Sequence, residues 1–95
     1  MLTKIRIETK LRDAFAPSFL SVEDESYLHI NHGNYRVDGG SHFRVKLVST
    51  LFTGCSRIER HQKVHACLEG ELKGGVHALC LTLLCPEEAV SSALE

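Results

Sequence analysis

A turn, a capped helix, a glycine pair and a strand that opens on a histidine follow one another over residues 52–81, FTGCSRIERHQKVHACLEGELKGGVHALCL. This succession constrains the fold more than any other part of the chain. Ser56 followed three residues later by Glu59 has the form of a capping box, in which each side chain bonds the other's free backbone N–H. The helix therefore starts near Ser56. Gly74 and Gly75 can take the left-handed backbone that closes a helix, after which the pattern turns extended at Val76-His77-Ala78-Leu79-Cys80-Leu81. One helix leads directly into one strand.

The flanking segments supply partners for both. Ile7, Leu11, Ala14 and Phe15 recur at helical spacing with Lys4, Arg6, Lys10 and Arg12 between them, which predicts an amphipathic helix over residues 3–16, ended by Pro17. Residues 19–27 read as an edge strand in which Leu20 and Val22 alternate with Ser21 and Glu23. Residues 28–41 form a loop rich in Asn, Gly and His, longer than most hairpin connections. Residues 42–49 alternate cleanly, with Phe43, Val45 and Leu47 on one face and Arg44 and Lys46 on the other, as in a strand with one solvated face. About 26 residues separate this strand from the next, enough for a right-handed crossover joining parallel strands. The first two strands are most simply antiparallel. The chain is thus expected to be α+β, a mixed three-stranded sheet with helices packed on one face. Pro86-Glu87-Glu88 has the form of the first turn of a short C-terminal helix.

Ninety-five residues, 43% of them hydrophobic, with a net charge of −1 suit a single domain over residues 1–95. The longest largely apolar run, residues 78–85, is well short of the ~20 residues that cross a bilayer, and the N-terminus has no signal-peptide core. A cytoplasmic location is expected, with the four cysteines reduced. The near-neutral charge lacks the basic excess of a dedicated nucleic-acid binder.

Parallel pairing places the start of the third strand at the pole where the loop meets the second. His77, carried on what should be an internal strand, then faces the loop with His29 and His32 and, at its exit, His42. Imidazoles are common metal ligands, and two of them on one iron are a known way to hold a [2Fe–2S] cluster. The plainer reading is that Asn and His in a glycine-rich loop make turns and solvent contacts.

Projection of the central helix at 100° per residue gathers Ile58, His61, Val64, His65, Leu68 and Leu72 on the face toward the sheet. His61 lies in its middle, which assigns it a structural role. Arg60, Lys63, Cys67 and Glu71 fall opposite, toward water. Cys67 is then the most exposed thiol, while Cys80 belongs to the core. Arg57, Arg60 and Lys63 offer a short basic stripe for a nucleic-acid groove, without an aromatic stacking surface. No nucleophile elbow, phosphate loop or Cys-His nucleophile pattern is present.

Phe52-Thr53-Gly54, Arg60-His61, Glu71-Leu72 and Val76-His77-Ala78-Leu79, with Asp24-Glu25-Ser26-Tyr27, His29 and Ser41-His42-Phe43-Arg44-Val45, closely resemble the BolA family. The match spans about residues 5–84, leaving residues 86–95 as a C-terminal helix or tail. The resemblance implies a class II KH-like fold, αββααβ with a possible short C-terminal helix, and a binding module, not an enzyme. Such proteins are monomers that pair with a monothiol glutaredoxin and share a glutathione-ligated [2Fe–2S] cluster; bacterial members are also linked to transcription control and stress-dependent cell shape. The family's cluster histidine falls on His77, and its second ligand on His29, with His32 as the alternative in a loop about four residues longer than in many relatives. Gln62 stands where the family commonly has a basic residue after the Arg-His pair, which weakens the case for DNA contact. The bulky aromatic often found after the Pro-Glu-Glu turn is absent.

Overall fold

The computed structural model describes residues 2–25 and 42–93. The elements are α1 (Leu2–Phe15), β1 (Phe19–Asp24), β2 (His42–Val48), α2 (Arg57–Cys67), α3 (Glu69–Lys73), β3 (Ala78–Leu84) and α4 (Pro86–Ala93), with a 3-10 turn at Thr50–Phe52. This is the αββααβ order with a C-terminal helix, and the sheet is mixed: β1 and β2 run antiparallel, β2 and β3 parallel. The strand order β1-β2-β3 makes β2 the central strand. Among the described residues His77 therefore precedes an edge strand, not an internal one. Ser26, Tyr27, His29 and His32, with the whole expected loop, lie outside the described residues.

The sheet's two faces follow from the alternation. Val22, Phe43, Val45, Leu47 and Leu83 are buried, with Leu20, Leu79 and Leu81 packed beside them. Against them lie Ile7, Leu11 and Phe15 from α1 and Val64 and Leu68 from the central helices, while Ala14 is exposed. Arg44, Lys46, Cys80 and Thr82 occupy the open face and are exposed.

Two turns position the helices. Ala16 ends α1 with a positive φ of 43°, its N–H on the Arg12 carbonyl. Gly54 takes φ 80° in the Phe-Thr-Gly turn, a left-handed conformation that strains any residue with a Cβ. The capping box is present as read: the Glu59 N–H donates to Ser56 Oγ at 3.1 Å and the Ser56 N–H to Glu59 Oε1 at 2.7 Å.

The single expected helix is interrupted at Leu68, whose φ of −102° and ψ of 17° divide α2 from α3. Gly75, with φ 131°, makes the exit to β3.

Ser49 joins three of these parts. Its hydroxyl, 1% exposed, donates to the Phe15 carbonyl at 2.7 Å and accepts from the Leu51 N–H at 3.1 Å, and its own N–H reaches the Leu84 carbonyl. Ser49→Ala should lower stability by about 1–3 kcal/mol, the cost of leaving buried backbone groups unpaired. Urea unfolding would measure it; an unchanged midpoint would refute the role.

Candidate functional site

Parallel pairing of β2 with β3 sets His42 opposite Ala78, so His42 and His77 meet where both strands begin. Their ring centroids are 6.3 Å apart, inclined at 49°. His77 is exposed and His42 half-buried. The Glu25 N–H donates to the His42 carbonyl at 2.8 Å, and Arg44 bonds the Glu25 carboxylate at 2.9 Å. Glu25 and His42 thus close the β1–β2 pairing at the pole of His77. Among the described residues no three His, Cys, Asp or Glu side chains gather closely enough to hold a metal ion alone. Of the two rings, the exposed His77 imidazole is the donor that this pole presents to solvent.

The central helix is turned differently from its sequence projection. Arg60 and Val64 are its buried residues, while Ile58 is 69% exposed and His61 only half-buried. The packing expected of His61, in the middle of the core face, is corrected accordingly. Arg60 fills that place. Its Nε donates to the Cys55 carbonyl at 3.0 Å, and its Nη1 to the Leu83 carbonyl at 2.9 Å and Glu88 Oε1 at 2.6 Å. The guanidinium also lies 5.9 Å from the Phe52 ring centroid. An arginine can face a core in this way when its stem packs on apolar surface and its head finds acceptors. The Glu88 carboxyl is drawn down to about 2 by the Arg60 guanidinium and the Cys85 N–H. Of the basic stripe Arg57, Arg60 and Lys63, only Arg57 and Lys63 remain exposed, and they stand about 120° apart at 100° per residue.

Two cysteines exchange places relative to expectation. Cys67 packs against the core near the Lys10 carbonyl, 3.6 Å away, and burial pushes its thiol up. Cys80 is exposed on the open face, 3.3 Å from Arg44 Nη1. Glu71, expected in water, has a side chain 8% exposed and pairs with Lys10 at 2.8 Å. Ser49, Arg60 and Glu88 went unread as a supporting frame. The only signal for the last two was an arginine one turn into the helix and a glutamate in the first turn after Pro86.

Sheet order, crossover and paired helices define an α+β domain of the class II KH-like type. Comparison with known proteins gives the family. The sequence profile described as BolA-like protein matches residues 11–88, and the chain belongs to the BolA-like family. It is 48% identical over 81 residues to the DNA-binding transcriptional regulator BolA of Escherichia coli, covering 85% of this chain and 73% of that one. Among solved structures, the BolA domain of SufE1 from Arabidopsis thaliana superposes with a TM-score of 0.81 at 40% identity, over 90% of this chain and 93% of that one. The solution structure of BolA1 from Mus musculus also gives 0.81, at 34% identity, over 96% and 71%. No helix among the described residues is long and apolar enough to cross a membrane.

Proposed function

We propose that this protein is a cytoplasmic adaptor, monomeric alone, that forms a heterodimer with a monothiol glutaredoxin and shares with it a glutathione-ligated [2Fe–2S] cluster, in iron homeostasis and stress response. The observation that carries the reading is the exposed His77 imidazole at the sheet pole, beside the half-buried His42 ring. Imidazole nitrogen is a fitting donor for such a group. His77 is the assigned ligand, with His29, or alternatively His32, as the second. When bound, the cluster supplies electron storage and a transferable iron–sulfur unit. The chain's part is to hold His77 on a fixed backbone. Val76, buried before it, donates its N–H to the Glu71 carbonyl, and β3 begins just after it. Anaerobic reconstitution with a monothiol glutaredoxin, iron, sulfide and glutathione, followed by visible circular dichroism, tests the reading. Absence of any signal beyond that of the glutaredoxin alone would refute it.

A second reading, a DNA-binding transcriptional regulator of morphology and stress genes acting through α2, is favoured by the name of the Escherichia coli relative. Burial of Arg60 against Glu88 counts against it. Phosphate-driven binding should fall steeply with salt. Tight, sequence-specific binding to a promoter fragment at physiological salt would reverse the ranking.

A further inference from the structure

Release of His61 from the core leaves it one helical turn before His65 on the flank of α2. Both imidazoles line one open surface depression of about 330 Å³ with Arg57, Ile58 and Gln62. His65 is exposed and His61 half-buried. Neither ring takes part in a hydrogen bond or ion pair among the described residues. The spacing is that of two histidines on one helical face that can hold a single metal ion, as in the helical zinc motifs.

The backbone under this pair is fixed. Each histidine directly follows a buried anchor, Arg60 at 9% exposure and Val64 at 0%. The capping box holds the helix start, and Arg60 is bonded to Cys55, Leu83 and Glu88. The Cβ atoms of the two histidines are therefore carried one helical turn apart on an anchored backbone. The pair is also remote from His77: His61 lines a second depression with Leu81, Leu83 and Leu84, toward the C-terminal end of β3, whereas His77 precedes its start.

We propose that His61 and His65 chelate a divalent transition-metal ion of the borderline class, Cu²⁺, Ni²⁺ or Zn²⁺, through two neutral imidazole nitrogens. The remaining coordination positions stay open to water or to a partner's side chain. Donor type sets the selectivity, since Mg²⁺ and Ca²⁺ require oxygen ligands. Arg57, in the same depression, opposes any cation and weakens the site without blocking it. The proposal does not rest on the cluster reading.

The test is a titration of the full-length, ¹⁵N-labelled chain with Ni²⁺ alone, followed by NMR. Paramagnetic broadening should centre on the amides around residues 61–65. His65→Ala, at an exposed position that leaves the fold intact by circular dichroism, should weaken it by about tenfold or more, because the second donor no longer binds intramolecularly. His65→Ala combined with Ala66→His keeps the number of histidines but moves one out of facing register, and should lose affinity equally. Arg57→Gln should tighten binding, and Mg²⁺ should cause no shift at α2. Equal affinity in wild type and His65→Ala, or broadening confined to the His42 and His77 pole, would overturn the proposal.

Discussion

Replacement of His77 by alanine should abolish the visible circular dichroism of a cluster shared with a monothiol glutaredoxin, while the protein itself stays folded. The side chain is exposed and makes no core contact, so the stability change should stay within about 0.5 kcal/mol. Loss of signal would then report a lost ligand. His29→Ala should weaken the shared cluster without eliminating it if His32 can substitute, and the double His29→Ala, His32→Ala variant should approach the His77 phenotype. A His77→Ala protein with the wild-type spectrum would remove the basis for this site.

Arg60→Ala should be the most destabilising single change in α2, by about 2–4 kcal/mol. It leaves the Leu83 and Cys55 carbonyls without their donor and strips packing from Phe52. The exposed half of the Glu88 pair keeps the cost below that of a fully buried ion pair. Arg60→Met, which restores packing but no donor, should recover only part of the loss in urea unfolding. The same pair has a pH signature. Because the folded-state Glu88 carboxyl is depressed to about 2, its contribution is fully present above the unfolded value of about 4.3 and is lost as pH falls from there toward about 2. Glu88→Gln should flatten the stability profile in that window. An Arg60→Ala midpoint equal to wild type would show that the frame around α4 is dispensable.

Much of the architecture was legible because local signals agreed with one another. The capping box at Ser56 and Glu59, the Gly75 exit, the alternation in β2 and the length of the crossover all named the elements and the parallel pairing. The pole shared by His42 and His77 followed from that pairing alone. The face of α2 did not. Counting Ile58 and His61 as core and Arg60 as solvent follows hydropathy, yet the arginine finds three acceptors and an aromatic ring while Ile58 is left 69% exposed. The same projection does place Leu68 and Leu72 on the core. The cysteines were misplaced for related reasons. Cys67 follows the corrected face of α2, and Cys80 falls in the outward phase of a strand whose inward residues are Leu79, Leu81 and Leu83.

Arg60 also has a consequence for how copies of this chain meet. β3 ends the sheet among the described residues, and a bare strand at a sheet margin is a template on which another molecule can add its own strand. Within this margin the Leu83 carbonyl is already committed to the guanidinium of Arg60. An incoming strand would have to displace a charged donor held by Glu88 before its ladder could run the length of β3. On this ground variants lacking Arg60 should form oligomers at lower concentrations than the parent chain, as size-exclusion chromatography would measure.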